Sequence, residues 1–199
     1  ETLPEPPMGS TVELIGSTPF QQPAGAITHI NLMRITANGA GAPAVSVSGR
    51  QQTVFIAVEA GTMAMDPWPG MFFSIGTIGE AVPEASPTIA DGETWAVTLG
   101  AGKTVRGDNL ADVVSVAGDQ PLTTLLLSIE HTFSTDVAQN RVVSEPTRWE
   151  MPGSADQATL SLRAITLEPG SSWTREQTGV THIWVQLGEL GLALASDEM

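Results

Sequence analysis

The chain has 199 residues, room for one large domain or one and a half small ones, and its 41% hydrophobic content excludes a disordered tail. Eight basic residues against 22 acidic ones give a formal net charge of −14, with no basic cluster to hold nucleic acid or an anionic membrane surface. The absence of cysteine removes disulfides, thiolate metal sites and cysteine nucleophiles.

The chain opens at Glu1 with the proline-rich polar stretch TLPEPP, as expected of a chain trimmed after removal of a signal or anchor segment. That opening points to an extracytoplasmic protein, whether secreted, periplasmic or on the cell surface. Residues 1–26 are expected to form an extended N-terminal segment. No apolar run approaches the roughly 20 residues that a membrane-spanning helix needs.

From there the pattern is β. THINLMRITA (28–37) and QTVFIAVEAGTMAM (52–65) are rich in Thr, Val, Ile and Leu and bounded by Gly, Pro, Asn and Asp. Residues 66–92 interrupt with prolines and glycines, yet carry the apolar Trp68, Met71, Phe72, Phe73 and Ile75. This insertion is expected as a loop packing back on the barrel, or else as a lid or partner-contact loop. Strand patterns resume at 93–102, 112–118 and 121–133, a polar connector follows over 135–157, and ATLSLRAITLEPG opens a last segment, 158–199. No stretch keeps a helical apolar period for three turns. Short strands in succession predict an all-β sandwich or barrel.

Two parts of the chain look alike. Residues 32–65 and 162–194 share an Ile-Thr strand (Ile35-Thr36, Ile165-Thr166), a Gly-rich turn, a variable polar stretch, an apolar strand, and a second Gly turn at Gly61 or Gly188. The common order of elements predicts an internal duplication.

ITLEPGSSW and THIWVQLGELGLAL, with their counterparts at 32–65, resemble the first motif of the cupin superfamily, whose members are small jelly-roll β-barrels. The resemblance implies a cupin-like barrel over 27–134, carrying the insertion 66–92, and a partial second cupin-like repeat over 158–199. In that family two histidines, a glutamate and a later histidine usually hold a metal inside the barrel. Framed by Gly41 and Gly61, the first three ligand positions fall here on Val47, Gly49 and Val54. A second motif started at Gly102 places the fourth on Val113. None of these four offers a donor side chain, whereas a divalent metal needs three or four converging N or O donors. Framed by Gly170 and Gly188, the second repeat offers only Glu176, with His182 one residue beyond the expected glutamate position and so on the opposite strand face. The resemblance therefore implies degenerate ligand positions, with no metal and no cofactor.

Other signals dissolve into turns and strands. Gly102-Lys103-Thr104 ends like a phosphate-binding loop, but the first glycine position of that motif is Val97 and no helical pattern follows. Arg106-Gly107-Asp108 spells an adhesion tripeptide, yet is expected on a hairpin or loop as ordinary turn residues. His29 and His131 flank the ends of the first barrel, where pairing of the outer strands would bring them together. No Gly-x-Ser-x-Gly nucleophile elbow occurs, and the carboxylates Glu59, Glu84, Glu93, Glu130 and Glu176 show no pairing geometry in the sequence. Trp95 and Trp184, inside apolar strands, are expected in the core.

Trp68, Phe72, Phe73, Trp149 and Trp173, beside loops or strand margins, are the interaction candidates. A half-barrel at 158–199 exposes sheet edges and an apolar face. Three things would cure this: chain continuing past Met199, strands from 1–26 or 135–150, or a partner subunit. The expected function is that of a non-catalytic, metal-free structural or interaction subunit of an extracytoplasmic assembly, with a protein partner or a homo-oligomer. The alternative is a cupin that binds a small, sugar-like molecule or acts on one without metal.

Overall fold

The computed structural model describes residues 9–20, 27–41, 43–47, 52–66, 72–82, 96–108, 114–130, 135–136, 140–142, 147–150, 158–174, 183 and 185–191. Among them every regular element is a strand. In chain order these are β1 (Ser10–Phe20), β2 (Ile27–Ala37), β3 (Pro43–Val47), β4 (Gln52–Ala60), β5 (Thr62–Met65), β6 (Phe72–Thr77) and β7 (Val97–Gly100). There follow β8 (Lys103–Asp108), β9 (Val114–Val116), β10 (Leu122–Glu130), β11 (Thr135–Asp136), β12 (Asn140–Val142), β13 (Thr147–Glu150) and β14 (Ala158–Leu167). The all-β expectation holds.

Two open antiparallel sheets and a two-stranded ribbon result. One sheet runs β12-β2-β10-β4-β8-β6, with β13 also paired to β2; the other runs β11-β3-β9-β5-β7. From β2 to β12 successive strands alternate between the two sheets, so the chain keeps crossing from one layer to the other. The turns that permit this carry glycine where the backbone enters the left-handed region. Gly61, between β4 and β5, has φ of 76° and lies against the Pro121 carbonyl, where a side chain has neither the conformation nor the room.

Period-two alternation sorts the side chains. Met33 and Ile35 of β2, Val54, Ile56 and Val58 of β4, and Leu122 and Leu126 of β10 point toward the second sheet. There they meet Met63 and Met65 of β5, Leu99 of β7 and Val114 and Val116 of β9 in one aliphatic core. The other face of the larger sheet carries Leu32, Phe55, Ala57, Leu125, Leu127 and Ile129, against which Leu162 of β14 and Val82 are buried. The molecule thus has two apolar seams, one on each face of the larger sheet.

The ribbon pairs β1 with β14, from Ser10 opposite Leu167 to Phe20 opposite Ala158, with a bulge between Leu14 and Gly16. The N-terminal segment, expected to be extended, therefore supplies a partner strand to β14. Of the cures anticipated for its open edges, a strand from 1–26 is the one observed.

The insertion 66–92 differs from the expected loop. Residues Phe72–Thr77 form β6, a full edge strand on β8. Its Phe73 fills the first seam, while Gly76 allows Thr104 and Val82 to approach from the other side. Beyond β6 the Ile78 N–H donates to the Gly102 carbonyl at 2.8 Å and the Val82 N–H to the Ser17 carbonyl at 2.8 Å. This clip ties the β7–β8 turn to the ribbon. Proline and glycine around the strand hid its alternation in the sequence.

Candidate functional site

The interior of the sandwich is where the family's metal would be held. Val54, the expected position of the glutamate ligand, is 1% exposed and packs in the first seam among aliphatic side chains. Val47 lies in β3, opposite Thr135 of β11. Gly49, Val113, Glu176 and His182 lie outside the described residues. No group of three or more His, Asp or Glu side chains converges among the described residues. Two buried hydroxyls are aimed into this seam. Thr124 and Ser128 of β10 share the face of Leu126, standing opposite Val58 and Val54 of β4, and both are fully buried.

The second expected chemistry, at 100–108, is a tight turn that carries the chain from one sheet to the other. β7 and β8 are joined through Gly102, whose φ is 83°, and Lys103 begins a strand, so no helix N-terminus is present to hold phosphate. The Lys103 ammonium instead donates to Thr77 Oγ1 at 3.4 Å. Arg106-Gly107-Asp108, expected on a hairpin or loop, belongs to β8, between β4 and β6, with Gly107 buried. A tripeptide in a two-sided strand is not presented to a receptor.

Histidines do not assemble a site either. β2 and β10 do pair, which sets His29 opposite Glu130, while His131 and His182 lie outside the described residues. Of the carboxylates, Glu59 is engaged: it forms a two-bonded ion pair with Arg34, Nε to Oε2 and Nη2 to Oε1 each at 2.8 Å. Hydrogen bonding to Glu59 raises the Arg34 pKa above the usual guanidinium range, partly offset by burial. Arg34 Nη1 also donates to Gln186 Oε1 at 3.1 Å, fastening the C-terminal segment to the larger sheet. The sequence held one signal of this cluster that went unread. Arg34 and Glu59 are charged residues inside apolar strands, at positions that alternation assigns to the same sheet face.

The interaction candidates divide. Phe73, expected at a contact surface, is 2% exposed in the first seam and so is a core residue. Trp173 is half-buried. Phe72 and Trp149 lie in β6 and β13, and Trp68, Trp95 and Trp184 lie outside the described residues. The exposed large hydrophobic side chains were not among the aromatic candidates. They are aliphatic, and all but Ile75 lie in the last part of the chain: Ile165, Ile183, Val185, Leu187 and Leu190.

No helix among the described residues is long and apolar enough to cross a membrane. Compared with protein-family models, with curated proteins and with solved structures, the chain matches none.

Proposed function

We propose that this chain is a metal-free, non-catalytic cupin-like protein that serves as a structural or interaction subunit of an extracytoplasmic protein assembly. The observation that carries this is the occupant of the sandwich interior. At Val54, where the family's glutamate would stand, an aliphatic side chain with no donor atom is buried in the first seam. The jelly-roll assignment is supported by strand order: β2-β10-β4-β8 in one sheet and β3-β9-β5-β7 in the other, the arrangement produced when a long antiparallel hairpin is rolled into two layers. The interaction role is supported by the uncovered aliphatic side chains in the last part of the chain.

Two measurements test the proposal. Elemental analysis after saturation with manganese, iron, zinc and nickel is expected to find no stoichiometric metal after desalting; one bound equivalent refutes the metal-free assignment. Crosslinking in the native source, with cell fractionation alongside, is expected to recover the chain joined to protein neighbours outside the cytoplasm. A cytoplasmic chain without neighbours refutes the assembly role.

A further inference from the structure

The turn that takes the chain from β2 in the larger sheet toward β3 in the smaller one begins Asn38-Gly39-Ala40-Gly41. The sequence holds four asparagines, Asn31, Asn38, Asn109 and Asn140, and Asn38 alone is followed by glycine. Asn31 and Asn140 lie within β2 and β12, followed by Leu32 and Arg141, while Asn109 lies outside the described residues. Asparagine is a thermolabile residue, and what stands after it and around it decides how fast it is lost.

The turn leaves the Gly39 nitrogen free to react with the Asn38 side chain. The pairing of β2 with β10 ends at Ala37, opposite Leu122, so residues 38 to 41 are outside the ladder that fixes strand backbone. All four are exposed. Neither the Gly39 N–H nor the Asn38 side-chain amide has a hydrogen-bond partner among the described residues. Glycine carries no side chain to shield its nitrogen and keeps the widest choice of backbone angles. Gly39 and Gly41 have φ of 91° and 75°, and nothing lies within 4 Å of a Cβ built at either. A small ring can therefore close at Asn38 without meeting a neighbour there.

We propose that Asn38 is a self-modification site, where the side-chain amide becomes a carboxylate without an enzyme; this stands apart from the role proposed above. The Gly39 nitrogen gives its proton to hydroxide and attacks the Asn38 Cγ. Ammonia leaves with the side-chain nitrogen, and a five-membered succinimide ring closes. Water then opens the ring on one side or the other. Breaking the bond between the Gly39 nitrogen and Cγ leaves aspartate. Breaking the bond between that nitrogen and the main-chain carbonyl carbon leaves isoaspartate, with the chain running on through Cγ. The net exchange is one water taken up for one ammonia released. Either product adds a negative charge. Isoaspartate also adds a backbone carbon between two anchored points: Ala37, buried in the first seam, and Gly41, whose N–H donates to the Val116 carbonyl at 2.9 Å.

Peptide mapping by mass spectrometry of the folded chain, aged at physiological temperature in neutral to mildly alkaline buffer, tests this. The expected result is loss of the Asn38 amide, with aspartate and isoaspartate both formed and the rate rising with pH. In heavy-oxygen water each product is expected to carry one heavy oxygen, as ring opening requires. Asn31 and Asn140 are expected to stay amides over the same period. The chain unfolded in guanidinium chloride sets the reference rate, and the folded chain is expected to react within tenfold of it. Alanine at positive φ would strain the folded turn, so Gly39→Ala is compared in the unfolded chain, where it is expected to slow the reaction at least tenfold. Protection of Asn38 beyond tenfold in the folded chain, or aspartate formed without isoaspartate, overturns the proposal.

Discussion

Arg34 and Glu59 join across a strand that separates them. Arg34 is in β2 and Glu59 in β4, with β10 between, and the side chains close over it through two parallel 2.8 Å bonds. Both groups are partly exposed, so the pair is expected to contribute about 0.2–1 kcal/mol. Arg34→Met and Glu59→Gln should each lower stability by that amount in urea titrations, and the double variant should lose less than the sum. Arg34→Lys should recover little, because a single ammonium cannot reproduce the paired geometry. Loss of Arg34 should also raise amide exchange over 185–191, because Gln186 loses its donor. The pH dependence follows from the direction of the Arg34 shift. A raised folded-state pKa gives stability that is complete below the unfolded value and is lost only as pH climbs through the folded one. That window lies above the usual guanidinium range, so Arg34 should add no pH dependence near neutrality.

Gly16 lets the ribbon reach the larger sheet. A Cβ at this position would press into the Phe55 ring, coming within 2.8 Å of Cε2 and closer still to Cζ. The backbone there is not in the left-handed region, so the constraint is one of space alone. Gly16→Ala is expected to cost about 1–3 kcal/mol through overpacking, read as a lowered melting temperature. Combining it with Phe55→Leu should restore part of the loss. If Gly16→Ala alone is neutral, the ribbon does not pack on Phe55 as described.

Gly61 and Gly188, equivalent in the repeat, separate conformation from space. Both have positive φ, and any other residue in that region costs about 1–2 kcal/mol. Only Gly61 has backbone against it, at Pro121 and Leu122; nothing lies within 4 Å of a Cβ at Gly188. Gly61→Ala should therefore destabilise clearly more than Gly188→Ala in matched chemical denaturation. Equal effects would mean that the β4–β5 turn does not approach the start of β10.

Fold class was legible because alternation survives wherever one side of a strand is buried and the other is not. QTVFIAVEA is apolar on both faces and still legible, since both faces of β4 lie in seams. β6 was missed because its sequence, FFSIGT, replaces apolar residues with Ser74 and Gly76 on the face where Thr104 and Val82 crowd in. A strand from 1–26 was anticipated only as one of three ways to complete the last segment, because its pairing depends on β14, nearly the whole chain away, and no local pattern encodes it. The Arg34–Glu59–Gln186 cluster was not legible, because it is assembled from three separate strands or segments.

The last prediction concerns two buried hydroxyls aimed into the first seam. Thr124 and Ser128 are each fully buried, and neither hydroxyl has a hydrogen-bond partner there. A buried hydroxyl without a partner costs about 1–3 kcal/mol relative to an apolar group of the same shape. Thr124→Val keeps the shape, removes the hydroxyl and sets a third branched aliphatic chain beside Ile35 and Val58, its neighbours in register. In an interior that serves only as packing, this variant should be as stable as the parent or more stable, by up to about 1 kcal/mol in urea titrations. Ser128→Ala should behave alike, less a small loss for the removed contacts. Were the interior instead a pocket for a small polar molecule, these hydroxyls would be among its contacts. Both variants would then lose the stabilisation that a sugar-like ligand confers, measured as a ligand-dependent rise in melting temperature of the parent. No such rise is expected, because the neighbours of the two hydroxyls in the first seam, Val54, Ile56, Val58 and Leu126, are aliphatic and buried.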